Sequence, residues 1–388
     1  MSFDTIIDRK NTCCDKWDYL ERYFGEKDML GLWVADMDFA VPQPVLDAII
    51  ERASHPIYGY TEIDDHYYDG LIAWYDKRFG YHIEKEWIVY MSGIIPAINY
   101  MIQAFTQPGD KIIIQEPVYH PFKNSIVGND RVPLINELRF DGEKYQMDLA
   151  ALEEQIDERT KMMILCNPHN PVGRVWEEKD LTALGELCIR HGILLISDEI
   201  HADIVYPGHR HIPIASLRKD FADICITCNA PTKTFNLAGL QGANIIISNP
   251  DLRKQYTDYV DRFHLQGPTP ITMAAQQAAY AHGEPWLEEL LVYLEGNVRY
   301  VEEFLKERLP GVTAVKPEGT YMIWLDFRGT GMTMEQINDT LIKKAKVAFN
   351  DGYMFGQSGA CFQRMNIACP RAILQECMER MEKAFNNK

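Results

Sequence analysis

The feature that most constrains this chain is a series of short, almost wholly apolar runs along its middle: Trp87–Tyr90, Lys111–Ile114, Met162–Leu165, Ile193–Ser197, Ile224–Cys228 and Asn244–Ile247. A strand with one face in water alternates apolar and polar residues. Several of these runs lack that alternation, so they read as strands buried on both faces, as in a mostly parallel sheet covered by helices. Helical patterns stand between them. Ile95–Phe105 is one, ended by Gln107-Pro-Gly-Asp110. Asp180–Arg190 is another, closed by His191-Gly192, where glycine supplies a left-handed cap. Strand, helix, strand, repeated this way, predicts an α/β fold.

At 388 residues the chain is too long for one ordinary core, and two packed domains are expected. The pattern changes after about Pro268. From there it is helix-rich, with helices expected at Met273–His282, Trp286–Leu309, Thr333–Lys346 and Arg371–Phe385, and one strand-like piece at Thr320–Phe327. The expected division is an N-terminal segment over 1–44, packing with the small domain, a large α/β domain over 45–280, and a small α+β domain over 281–388. The first of these shows no strand pattern of its own.

Charge excludes some partners. With 39 basic against 56 acidic side chains the net charge is −17. Nucleic acid and anionic membrane both require a basic face, so neither is expected as a partner. No apolar stretch reaches membrane-spanning length. The opening Met1-Ser-Phe-Asp-Thr-Ile-Ile-Asp-Arg-Lys10 lacks the apolar core of a secretory signal. The expected location is the cytoplasm. Nine cysteines follow no regular spacing. Cys225 and Cys228 have a CxxC spacing, but three residues along a strand the thiols face opposite sides of the sheet. No second pair completes a zinc site, so no metal is expected and the thiols read as reduced structural groups.

Open α/β sheets bind ligands beyond the carboxyl ends of their strands. Ser92-Gly-Ile, Glu116-Pro-Val-Tyr-His120, Asn167-Pro-His-Asn-Pro-Val-Gly-Arg174, Asp198-Glu-Ile-His201 and Asn229-Ala-Pro-Thr-Lys-Thr-Phe-Asn236 each follow an apolar run. Lys233 lies between an apolar strand and the apolar run Phe235–Leu240. A lysine desolvated there has lowered basicity and can form a Schiff base. Asp198 ends an apolar strand, where it is either a helix cap or the partner of a buried cation. The protonated ring nitrogen of pyridoxal 5′-phosphate (PLP) is such a cation. Asn170 is a turn residue whose amide can donate to the cofactor's phenolate oxygen. Tyr119 is either core or a ring-stacking face. Ser92, Gly93 and Ile94 open a helix, whose free N–H groups and dipole suit a phosphate.

Together these stretches resemble the fold type I PLP-dependent enzymes of the aminotransferase class I/II family. Asn167-Pro-His-Asn-Pro-Val-Gly173, Ser197-Asp-Glu-Ile-His201 and Thr232-Lys-Thr-Phe-Asn-Leu-Ala-Gly239 are similar to the family's asparagine, aspartate and lysine motifs, in its chain order. Phe362-Gln-Arg-Met-Asn-Ile-Ala368 resembles the segment whose arginine binds the substrate α-carboxylate, which makes Arg364 the candidate clamp. A narrower resemblance is to the family's cystathionine β-lyase group. It rests on Trp33-Val-Ala-Asp-Met-Asp-Phe39, Glu116 to Phe122, Asn167 to Trp176, His201 to Gly208 and Asp351 to Gly356.

The resemblance implies a mostly parallel large domain with a smaller α+β domain, PLP on Lys233, and cofactor contacts from Asp198, Asn170, Tyr119, His201, Thr232, Ser92, Gly93 and Ile94. It places Ala35 and Asp36 beside an amino-acid substrate, with His120 where one member of the group has a second Tyr. Tyr58-Gly-Tyr60 resembles the segment whose tyrosine reaches the phosphate of a neighbouring subunit, so Tyr60 implies a homodimer with a shared active site. Two positions depart from many aminotransferases: Ala230 where they often have Ser, and Gln241 where they often have a phosphate-binding Arg. The implied activity is α,β-elimination on L-cystathionine or another L-cysteine S-conjugate, giving pyruvate, ammonia and a thiol. An aminotransferase acting on an L-amino acid is the alternative, and a regulatory protein-binding role is a further one.

Overall fold

The computed structural model describes residues 2–265 and 267–386. Seven strands form the large sheet: β1 (Ile88–Met91), β2 (Lys111–Ile114), β3 (Val132–Ile135), β4 (Thr160–Cys166), β5 (Leu194–Asp198), β6 (Cys225–Asn229) and β7 (Ala243–Ile246). Their spatial order is β1-β7-β6-β5-β4-β2-β3. Strands from β6 to β3 pair in parallel, and β7 runs antiparallel to both its neighbours.

The unbroken apolar runs have a direct cause. Along β2, Ile112 and Ile114 enter one hydrophobic cluster while Ile113 enters another on the opposite face. Met163 and Leu165 likewise part from Ile164, and Leu195 from Ile196. Both faces are covered, so both sets of alternating side chains must be apolar. Cys225 and Cys228 join opposite clusters, as their odd spacing requires. Strand β3 is an addition to the sequence reading. It is an edge strand carrying Pro133, with Val132 in solvent, and proline is tolerated there because no ladder bond is lost on the outer side.

A second, antiparallel sheet has the order β8-β9-β11-β10: β8 (Thr313–Val315), β9 (Met322–Asp326), β10 (Asn350–Asp351) and β11 (Phe362–Asn366). The sequence suggested only β9. Strand β11 was hidden by its polar residues Gln363, Arg364 and Asn366, all of which are buried. The helix expected over Thr333–Lys346 is α-helical only at Met334–Asp339 and continues as a wider π-type turn to Ala345.

The N-terminal segment is not free of strand. Leu30–Gly31 pairs in parallel with Val347–Ala348. Leu32 N–H donates to Ala348 O at 3.0 Å, and Asp38 N–H to Ala368 O at 2.9 Å. Phe3, Leu32, Met37 and Phe39 share one core with the helix Glu284–Arg308, the small sheet and the C-terminal helix. This lays Trp33–Phe39 as a strap between the two sheets. Among the described residues no helix is long and apolar enough to cross a membrane.

Candidate active site

A cavity of about 420 Å³ opens at the carboxyl ends of the large sheet's strands. Ser92, Gly93 and Ile94 line one end of it, beside Thr232. Gly93 caps the twelve-residue helix Ile94–Phe105 at φ +157°, a conformation that an L side chain rarely takes. No side chain caps this helix. Among the described residues the N–H groups of Gly93, Ile94 and Ile95 meet no acceptor, so a row of donors and the positive end of the helix dipole face the cavity. Thr232 is buried in the single helical turn Pro231–Thr234 that follows β6.

Asp198, Asn170, Tyr119 and His201 also line the cavity. Asp198 is buried, and among the described residues its one donor is the N–H of Ile200 at 3.1 Å. Burial pushes its carboxyl up to about 7, against the pull of that bond. A carboxylate so placed, without a cation against it among the described residues, is matched to a positively charged ring nitrogen. His201 is pushed down to about 3 by burial, with Lys233 and Arg364 adding to the effect, so its ring is neutral. Its Nδ1 is buried without a partner.

Lys233 approaches from the strap side. Its Nζ donates to the carbonyl of Ala35 at 2.6 Å, and burial lowers its amine to about 8. Asp36 and Asp198 oppose that shift, while Arg364 assists it. The turn that carries Lys233 is tied to the strap by Asn236, which accepts from Met37 N–H at 2.9 Å and donates to Phe39 O at 2.8 Å.

Arg364 projects from β11. Its guanidinium donates to Asn170 Oδ1 and Trp33 O, each at 3.0 Å, and to Asn350 Oδ1 at 2.5 Å. It is only 4% exposed and forms no ion pair among the described residues. Burial lowers its pKa to about 10, and its Nε has no partner. A buried guanidinium held only by neutral acceptors is a seat for an incoming carboxylate.

Three expected residues stand apart. The Asp36 side chain turns away from the cavity and pairs with Arg9 at 2.6 Å; the same segment reaches the cavity instead through Ala35. His120 is half-buried beside Tyr119 and outside the cavity lining; burial and Arg364 keep its ring neutral, and its Nδ1 has no partner. Tyr60 is 96% exposed and lines a neighbouring cavity that also touches Ser92. Ala230 and Gln241, the two departures from the aminotransferase pattern, do line the main cavity. The sequence reading missed Tyr321, whose hydroxyl donates to Ala35 O at 3.0 Å, and Asn350. Neither stands out by residue type, since each needs the small sheet's register to come near the site.

The cavity therefore offers a phosphate seat of backbone donors, a buried carboxylate lacking a cation, a flanking aromatic and an amide. It adds a lysine of lowered basicity, and hydrogen-bonded to Asn170, just outside the lining, stands an arginine with no ion pair among the described residues. This donor set fits PLP, and with the doubly covered sheet it defines a fold type I PLP-dependent enzyme. The chain belongs to the aminotransferase class I and II family, whose model matches residues 27–381. It is 42% identical over 387 residues to the cystathionine β-lyase PatB of Bacillus subtilis, covering 100% of both chains. Among solved structures it is similar to PLP-containing cystalysin from Treponema denticola, at 35% identity and a TM-score of 0.97, over 100% of this chain and 99% of that one. It is also similar to the PLP-bound C-S lyase from Staphylococcus hominis, at 34% identity and a TM-score of 0.92, over 99% and 98%.

Proposed function

We propose that this chain is a PLP-dependent carbon–sulfur β-lyase that cleaves L-cystathionine or other L-cysteine S-conjugates to pyruvate, ammonia and a thiol. The observation that carries the reading is the full-length likeness to PatB and the C-S lyases, joined to a cavity that holds an amine of lowered basicity and has an unpaired guanidinium against its lining residue Asn170.

Arg364 binds the substrate α-carboxylate through two parallel hydrogen bonds and thereby fixes the amino acid's orientation. Asp198 would keep the cofactor's ring nitrogen protonated, and Tyr119 would lie against its ring. The bound cofactor supplies the electron sink for charge developing at Cα. Lys233 is the general base. With one N–H held by Ala35 O, its lone pair is free to take the Cα proton. The Cα–H bond breaks with its proton passing to Nζ, the Cβ–S bond breaks with its electron pair leaving on sulfur, and the three-carbon product hydrolyses to pyruvate and ammonia. Ser92, Gly93, Ile94 and Thr232 would hold the cofactor's phosphate and so fix its position.

The homodimer belongs to the same reading. Its own chain gives Tyr60 no packing. A second copy that covers it would bring its hydroxyl to the phosphate end of the partner's cavity. A monomer in light scattering would overturn this.

The test of the activity is direct. PLP-loaded protein with L-cystathionine and no keto-acid acceptor should release pyruvate and free thiol in equal amounts over many turnovers. Absence of release, with amino-group transfer once 2-oxoglutarate is supplied, would reassign it as an aminotransferase.

A further inference from the structure

The Ala35 carbonyl receives two donors. Lys233 Nζ lies at 2.6 Å and the Tyr321 hydroxyl at 3.0 Å. A carbonyl oxygen has two lone pairs, so both bonds stand together. The tyrosine cannot swing away. Its side chain is fully buried, and its ring meets His201 edge-on with centroids 5.7 Å apart. Its backbone is pinned on both sides. Thr320 sits at φ +67°, a left-handed conformation unusual for threonine, with its N–H bonded to Ile204 O at 2.7 Å and its hydroxyl accepting from Met322 N–H at 3.1 Å. Ile367 N–H bonds the carbonyl of Tyr321 at 3.0 Å. The carbonyl it serves is equally fixed, because Asn366 Nδ2 grips Val34 O and Asp36 O on either side, each at 2.6 Å.

We propose that Tyr321 is a positioning residue for proton transfer: by sharing the Ala35 carbonyl with Lys233, it weakens that carbonyl's hold on the ammonium and favours the free amine that takes the substrate proton. This rests on the reading of Lys233 as the general base. The other groups that bear on the amine act in both directions. Asp36 and Asp198 favour its charged form, burial and Arg364 oppose it, and His201 is neutral. With that balance, a change in the strength of the one hydrogen bond to the ammonium is enough to move its titration. Loss of the tyrosine hydroxyl hands the whole carbonyl to the ammonium, and hydrogen bonding to the charged form favours that form.

Tyr321→Phe tests this, since it removes one oxygen and keeps the ring. The first readout needs no cofactor. In the full chain freed of PLP, the pH dependence of Lys233 acylation is followed by peptide mass spectrometry. Its midpoint should rise by about half a pH unit or more. In the holoenzyme, kcat at pH 7 should fall several-fold with KM within about twofold of wild type, and the acid limb of the profile should move to higher pH. Tyr206→Phe removes another buried hydroxyl, one with no partner, and should leave both readouts in place. An acylation midpoint that is unchanged or lower in Tyr321→Phe overturns the proposal. A raised midpoint in a protein that releases no pyruvate from any S-conjugate supports the positioning role while removing the lyase reading.

Discussion

Two lysines reach the strap Trp33–Phe39 from opposite sides, and they have opposite chemistry. Lys16 is 1% exposed, with Nζ 2.7 Å from Asp38 and 3.3 Å from the Asp36 carbonyl. Burial opposes its charge, yet Asp38 and Asp36 together raise its pKa above the ordinary lysine value. Lys233 binds the neighbouring carbonyl, that of Ala35, and has no carboxylate in contact among the described residues. Burial prevails there, and the amine falls to about 8. Burial alone therefore does not make a lysine reactive. A buried lysine with a matched carboxylate is a structural cation. One that meets only a neutral oxygen becomes a base near neutral pH.

The most severe break in this comparison is Lys233→Ala. Turnover should fall by about 10⁴-fold or more, and the visible absorption of the lysine-bound cofactor should vanish. Turnover that survived would return Lys233 to the same class as Lys16. Arg364 extends the comparison to a guanidinium held only by neutral acceptors. Arg364→Ala should raise KM on the order of 100-fold, as expected for a lost bidentate carboxylate bond, with a smaller effect on kcat. An unchanged KM would mean that another group holds the carboxylate.

The same contrast explains what the sequence could and could not reveal. Strands buried on both faces announce themselves, because every residue must be apolar; this exposed six of the seven strands and, in the stretches that follow five of them, Ser92, Asn170, Asp198 and Lys233. The flanking motifs made Arg364 nameable before its strand was. Strand β11 itself was illegible, because its buried polar residues are satisfied by partners distant in sequence, such as Asn366 on the strap. Lys16 was equally silent. Nothing in Cys14-Asp-Lys-Trp17 distinguishes a lysine that will meet Asp38 from one in solvent. Asp36 was placed by its neighbour Ala35, and the extended strap turned it the other way, toward Arg9.

Next in size is Lys16→Met, which leaves Asp38 buried with Arg9 and Trp17 as its remaining donors. Removal of one partner from a buried pair should destabilise the fold by about 3 kcal/mol, read as a lower urea midpoint. PLP binding should persist, because the Lys233 turn is separately tied down by Asn236.

The smallest expected effect has the opposite sign. Lys233→Met, measured in the cofactor-free chain at pH 7, should stabilise the fold by about 2 kcal/mol, since it removes an amine whose protonation burial resists. The pH dependence follows from the two titrations. In the unfolded chain the amine titrates near 10.4, and in the folded chain near 8. Between those values the unfolded chain binds more protons, so wild-type stability rises with pH across that window; below it the full cost is present. The advantage of Lys233→Met should therefore be constant below about pH 8 and shrink to nothing toward about 10.4. Lys16 runs the other way: its raised pKa makes its contribution complete below the unfolded value and lost only as pH climbs through the folded one. Urea unfolding of both variants at pH 7 and at pH ~10 separates the cases. If Lys233→Met destabilises at pH 7, Asp36 and Asp198 outweigh burial and the fold gains from that charge, and the two lysines differ in location but not in kind.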